Sequence, residues 1–320
     1  MKTIGTMEVS QGEKKTGYLQ VASDTDGSPI QLPLLVANGR ESGPTVWVIG
    51  CVHGDEYGGA ASIIDFFQEI DVEELAGTFV GLPVANPPSF KAWSRISPMD
   101  GVNLNRIFPG NPKGTYSQRL AHVLLETITE TADFVIDLHS GGIALHVPFF
   151  MICKDGHTEA AKKSLWLAER MGTDIIWIAS DDGAASGTGT DHYMKHGIPS
   201  VTVEVGGGTV TPKHVRLFKE SIVNSLKALK MISGEAPIQE SYKVYKKAEF
   251  IFAGEGGLFV PACKVGSILK KGDRIGTIIN LHGEVTEEIV SPFDHAFLAA
   301  TGNLYWPTEP GRLIAETYTI

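Results

Sequence analysis

Thr45-Val46-Trp47-Val48-Ile49-Gly50-Cys51-Val52-His53-Gly54-Asp55-Glu56-Tyr57-Gly58-Gly59 is the stretch on which the fold turns. Its first five residues form an apolar run, preceded by the Gly43-Pro44 break, and predict a buried strand. The Gly-rich turn leads into a helical pattern over residues 60–70. His53 and Glu56 therefore leave the carboxyl end of a strand, three residues apart, with backbone room around them. An imidazole and a carboxylate at that spacing suit one Zn²⁺. Two ligands do not close a site, so the remaining chain must supply a third, and a base.

Outward from this stretch, strand and helix alternate. Short β-like runs over 15–21 and 30–36 precede it, and an apolar run over 78–85 follows. Residues 89–114 read as a long loop rich in Pro, Gly and Asn; it keeps Phe90, Trp93, Ile96 and Phe108, which argues against disorder. Residues 116–131 carry Leu120, Leu124 and Ile128 on one helical stripe. Strands are predicted over 132–138, 147–153, 173–178 and 199–204. Helices are predicted over 158–171, 191–196 and 212–231, the last with Pro at its first turn, and a small-residue loop over 181–189. The alternation from 45 to 231 argues for an α/β domain with a mostly parallel or mixed sheet. After Ser233-Gly234-Glu235-Ala236-Pro237 the texture changes to short β-like runs cut by Gly and Pro. The expected organisation is a catalytic α/β domain over 1–237 and a small all-β domain over 238–320.

Three polar groups occupy equivalent places. His53 follows one predicted strand, His139 ends another and Glu204 ends a third, and each is followed by glycine. Ligands of open α/β sheets bind outside the carboxyl ends of strands. His53, Glu56 and His139 would make a two-His, one-carboxylate zinc site with its fourth position open to water. Glu204, outside the ligand set, suits a general base that passes a proton to a leaving nitrogen. Asp137 shares a strand face with His139 and would accept the free N–H of a ligating imidazole. In the long loop, Asn105 and Arg106 offer an amide beside a planar cationic fork, suited to a carboxylate. Arg95 is a second cation there, a candidate to polarise a carbonyl and hold an oxyanion. Each residue alone has a plainer reading: a strand-end His hydrogen-bonded in the core, a solvated loop Arg, a structural carboxylate.

Composition sets the outer bounds. The 320 residues are 42% hydrophobic and 20% charged, with a net charge of −10. An acidic chain is a poor match for nucleic acid or an anionic membrane surface. No apolar run approaches the roughly 18 residues of a membrane span, and the first residues show no secretory leader. Cys51, Cys153 and Cys263 are widely spaced and odd in number, which points to a reducing compartment, the cytoplasm, rather than a disulfide framework. Gly206-Gly207-Gly208 lacks the Gly-x-x-x-x-Gly-Lys pattern of a phosphate loop.

His53-Gly54-Asp55-Glu56, Asn105-Arg106-Ile107-Phe108-Pro109-Gly110, Asp137-Leu138-His139-Ser140-Gly141 and Val203-Glu204-Val205-Gly206 resemble, in order, the motifs of the succinylglutamate desuccinylase/aspartoacylase family. The resemblance runs from about residue 40 to 235. It implies a zinc carboxypeptidase-like fold, a mixed sheet flanked by helices. It also implies one zinc per chain on His53, Glu56 and His139, Asn105 and Arg106 on a substrate carboxylate, and Glu204 as base. Residues 240–320, with Lys271-Gly272-Asp273-Arg274-Ile275-Gly276, resemble the family's barrel-sandwich module, which packs over the catalytic mouth or forms a contact in a homo-oligomer. No lysine sits in a lipoyl or biotin attachment motif. One departure stands out. Family aspartoacylases carry an Arg a short interval before the Asn-Arg pair; here that interval holds Pro98, and the nearest Arg is Arg95. The pattern is closer to the family's N-acetyl-diaminobutyrate deacetylase-like members. The expected activity is removal of a small acyl group from an N-acylated amino acid or amine. The competing expectation is a metallocarboxypeptidase for short peptides.

Overall fold

The computed structural model describes residues 1–180, 186–239 and 241–319. The small-residue loop expected over 181–189 thus lies largely outside the described residues. The architecture is the expected one, an α/β mixed sheet flanked by helices with additional antiparallel strands at the C-terminal end. Four parallel strands form the centre: Ala76–Leu82, Glu41–Ile49, Phe134–His139 and Ser200–Gly207, in that spatial order. Antiparallel strands Pro29–Asn38 and Glu13–Ser23 continue one side. On the other side, Leu145–Lys154 runs antiparallel to Ser200–Gly207.

The central strands are mostly apolar because both faces are covered. Trp47 and Ile49 pack on one face with Leu120, Leu124 and Ile128 of the helix Tyr116–Thr131. Val46 and Val48 point the other way, toward Ile63 and Phe66 of Gly58–Glu69 and Phe218, Ile222 and Leu226 of Pro212–Ala228. Alternation along one strand thus feeds two cores. Each such side chain, fully buried, contributes roughly 1.5–3 kcal/mol.

The loop over 89–114 is well structured. It holds the short helix Pro87–Ala92 at its start and a 3₁₀ turn, Leu104–Arg106. Asp100 ties it to the next helix: its carboxylate accepts from the Ser117 backbone N–H at 2.8 Å, the Ser117 hydroxyl at 2.8 Å and the Thr115 hydroxyl at 2.7 Å. That places an anion at the amino end of a sixteen-residue helix, where orphan N–H groups and the helix dipole favour it.

The C-terminal strands extend the same sheet. Ala296–Gly302 pairs with Leu145–Lys154 through Thr301 opposite His146, and Leu313–Thr319 and Lys247–Phe252 follow outward. Lys243–Tyr245 adds a parallel strand beside Ile175–Ala179. Between these parts lies a shared core of Val147, Phe150 and Trp177 with Tyr245, Phe297 and Tyr318. A separate four-stranded antiparallel sheet, Gly257–Pro261, Arg274–Ile279, Val285–Val290 and Trp306–Thr308, closes its own core around Phe259, Ile275 and Ile278.

Candidate metal centre and active site

Parallel register delivers the site. Ile49 lies opposite Asp137, and His139 lies opposite Glu204. Three adjacent strands therefore end at one edge, carrying His139 and Glu204 directly and His53 in the turn beyond Ile49. That turn is tight. Cys51 adopts φ +48°, a region that β-carbon-bearing residues avoid. Gly54 is required by close approach, since a Cβ there would lie 1.9 Å from the Ser89 carbonyl carbon. At Gly59 a Cβ would come within 2.8 Å of the Leu138 Cβ, so glycine lets the helix settle onto the strand bearing His139.

The structure brings His53, Glu56 and His139 together, all buried, with one potential ligand atom from each within 4.8 Å of the others. Glu56 Oε1 lies 2.8 Å from His53 Nδ1, and Glu56 Oε2 lies 2.8 Å from His139 Nδ1. The outward nitrogens also have companions. His53 Nε2 is 3.1 Å from Asn103 Oδ1, and His139 Nε2 is 3.0 Å from Asp137 Oδ2, off the line of a good hydrogen bond. Two imidazoles and a carboxylate, each imidazole with an outer oxygen neighbour, suit the borderline chemistry of Zn²⁺.

The electrostatics favour a cation here. Burial and Arg95 push the His53 imidazole down to about 4, so it is neutral and available as a donor. Burial opposes charge on His139 too, but Asp137 and Glu56 on either side overcome it and hold its proton well above the ordinary range. Burial likewise raises Glu56, and the two imidazoles reverse that to well below the usual carboxylate range. Two carboxylates thus flank a buried position that attracts positive charge, which a metal ion supplies better than a proton.

Around this centre the other expected residues take distinct places. Glu204 lines the same cavity, its carboxyl pushed up to about 8 by burial, with Glu56 and Glu316 adding and His139 and Arg95 opposing. Arg95, half exposed, donates from Nη1 to Glu56 Oε1 at 2.8 Å and stands 3.3 Å from His53 Nδ1. Its guanidinium, at the cavity wall, therefore rests on the His53–Glu56–His139 cluster. Asn105 is buried and accepts through Oδ1 from the Gly189 N–H at 3.0 Å. A backbone N–H can only donate, which fixes the amide and leaves Nδ2 without a partner among the described residues. Arg106 donates from Nη1 to the Asn105 carbonyl at 2.7 Å. It is an exposed residue that lines the cavity. The surrounding protein, with Arg95, lowers its pKa.

The cavity measures about 570 Å³. Sequence reasoning missed a good part of its wall. Phe250, Leu313, Glu316 and Tyr318 come from the C-terminal strands, and Lys154, 3.4 Å from Asp191 and 3.2 Å from the Ser180 carbonyl, comes from Leu145–Lys154. Asn103, the neighbour of His53, was also overlooked. Nothing local marks these residues; Asn103 alone has a hint, in the polar run leading to Asn105-Arg106.

Residues 42–230 match the catalytic domain of the succinylglutamate desuccinylase/aspartoacylase family. The chain is 31% identical over 289 residues to the N-alpha-acetyl-L-2,4-diaminobutyric acid deacetylase of Halomonas elongata, covering 87% of this chain and 82% of that protein. Among solved structures, a succinylglutamate desuccinylase/aspartoacylase from Rhodobacter sphaeroides superposes with a TM-score of 0.86 at 27% identity, over 98% of both chains. The product-bound ectoine utilization protein EutE (DoeB) of Ruegeria pomeroyi shares the fold, with a TM-score of 0.88 at 23% identity over the whole of both chains. The matched span contains His53, Glu56, Asn105, Arg106, His139 and Glu204 alike, and the chain belongs to the succinylglutamate desuccinylase/aspartoacylase family.

Proposed function

We propose that the protein is a zinc-dependent amidohydrolase that removes a small acyl group from an N-acylated amino acid. The observation that carries this reading is the meeting of His53, Glu56 and His139 at the carboxyl edge of the sheet, with Glu204 level with His139 in the same cavity. Zn²⁺ held by these three would supply a Lewis acid that polarises the scissile carbonyl and acidifies water. Arg106 and the free Nδ2 of Asn105 grip the substrate's α-carboxylate. Glu204 accepts a proton from the attacking water as the new C–O bond forms. It then delivers that proton to the amide nitrogen as the C–N bond breaks, leaving a carboxylic acid and a free amine. Arg95 has a long, half-exposed side chain that can turn from Glu56 toward the carbonyl oxygen. Asp137 keeps the His139 ring oriented.

The wall contributed by the C-terminal strands supports a small substrate over the alternative, a metallocarboxypeptidase acting on short peptides. N-acetyl-2,4-diaminobutyrate, named by the Halomonas relative, is the first substrate to try. Three cysteines without disulfide partners support a cytoplasmic location. The test is release of free amine from a panel of N-acyl amino acids, run against a panel of short peptides. Turnover of peptides alone would replace this reading with the carboxypeptidase one. A charge-assisted clamp is worth roughly 1.5–3 kcal/mol. Substrates with a free α-carboxylate should therefore be cleaved about tenfold or more better than their carboxamides, and Arg106→Lys should narrow that gap because an ammonium lacks the two-pronged fork. Equal kcat/KM for acid and amide would remove the clamp.

A further inference from the structure

The strand Leu313–Thr319 lies far from every motif of the site in sequence, yet two of its side chains, Glu316 and Tyr318, line the cavity. They are two residues apart and so share a strand face. The Tyr318 ring is wedged against Trp177, centroids 4.5 Å apart, and Phe150, 5.9 Å apart. Its hydroxyl donates to Glu316 Oε2 at 2.9 Å. A rigid aromatic therefore aims this carboxylate.

Glu316 makes no contact ion pair. Among the described residues no Lys, Arg or His nitrogen lies within 4.0 Å of it, and Oε1 accepts no hydrogen bond. The cavity's three arginines are engaged elsewhere, Arg95 on Glu56, Arg106 on the Asn105 carbonyl and Arg312 on Glu309. A carboxylate held inside the protein without a cation in contact is unfavourable, so a ligand that brings a positive charge to it is favoured and one that brings a methyl group is not. Burial raises the pKa of Glu316, with Tyr318, Arg95 and Arg106 pulling the other way; an adjacent ammonium would favour its charged form.

We propose that Glu316 is the specificity residue of this cavity: it receives a side-chain ammonium, so that the preferred substrates are N-acylated diamino acids, gripped by Arg106 at the α-carboxylate and by Glu316 at the amine. The proposal rests on the deacylase reading above. It divides the cavity into an anion end on Asn105 and Arg106 and a cation end on Glu316 and Tyr318.

The experiment compares Nα-acetyl-2,4-diaminobutyrate with Nα-acetyl-2-aminobutyrate, which differs by the amine alone, on the zinc-loaded wild type and Glu316→Gln. Wild type should prefer the cationic substrate by about tenfold or more in kcat/KM, the scale of a charge-assisted contact. Glu316→Gln should erase that preference, with the loss on the cationic substrate carried mainly by KM. A uniform fall on both substrates would mean that Glu316 merely supports Arg106 or the fold, and would overturn the proposal. Tyr318→Phe, which keeps the ring packing and removes the aim, should show a smaller loss in the same direction and serves if Glu316→Gln does not fold. If wild type cleaves neither substrate, the deacylase reading fails, and calorimetric binding of free 2,4-diaminobutyrate decides Glu316 separately. Binding lost in the Gln variant upholds the cation site, and no binding by wild type removes it.

Discussion

At the residue scale, the ligand cluster and Glu204 have separable signatures. His53 and His139 each bring an imidazole nitrogen to within 2.8 Å of a Glu56 oxygen. Removing either ring leaves two donors and a void in a buried site, so His53→Ala and His139→Ala should lose bound zinc. Metal analysis of the purified variants checks this, and full zinc in both would refute the ligand set. A strong chelator should likewise abolish turnover in wild type, with zinc restoring it. Glu204→Gln keeps the size of the side chain and all three ligands. It should retain zinc while turnover falls by at least about a hundredfold, the usual scale of general acid–base catalysis. Wild-type turnover in that variant would eliminate Glu204 as the base. The places of His53, His139 and Glu204 were legible in the sequence because each comes at or just past the end of an apolar run with glycine one or two residues on, a local pattern. The surroundings of Arg95 were not legible. Its contact with Glu56 depends on how the loop over 89–114 folds back across Gly54, and no periodicity encodes that.

At the element scale, the helix Tyr116–Thr131 rests on Asp100 from the preceding loop. Burial raises this carboxyl, but the hydrogen bonds from Ser117 and Thr115 outweigh it, and its pKa lies below the ordinary 3.8. A depressed carboxylate stabilises the fold fully above its unfolded pKa and loses that contribution as pH falls through the folded value. Asp100→Ala should therefore cost about 0.5–2 kcal/mol at neutral pH, the range for lost helix caps. The gap in stability between variant and wild type should close as pH drops below about 4. Denaturant melts at pH 7 and pH 3 measure it, and a gap that widened in acid would refute the assignment. The helix itself was predictable from the spacing of Leu120, Leu124 and Ile128, and its observed bounds agree with that spacing. The carboxylate that braces its amino end was not, because Asp100 lies fifteen residues before the N-cap Thr115 and nothing in the intervening Pro and Gly turns fixes their meeting.

For the whole molecule, the C-terminal strands and the catalytic sheet share backbone pairing between Thr301 and His146 and the apolar contacts of Phe150 and Trp177 with Tyr318. We expect the chain to unfold in one calorimetric transition; two resolved transitions would show independently stable parts. A chain ending near residue 237 should expose Phe150 and Trp177 and lose solubility or selectivity while keeping every ligand residue. An equally soluble, equally selective truncation would refute this. The sequence by itself determined the alternation of strand and helix, the three strand ends that carry His53, His139 and Glu204, and the change to β texture after Pro237. Those features rest on periodicities and turn residues spanning a few positions, which a linear reading captures. Only the tertiary structure decided that Leu313–Thr319 joins the catalytic sheet through Ala296–Gly302, and so brings Glu316 and Tyr318 to the cavity. Strand order and register over a hundred or more residues are set by which faces bury together, and that balance is struck by the whole chain at once.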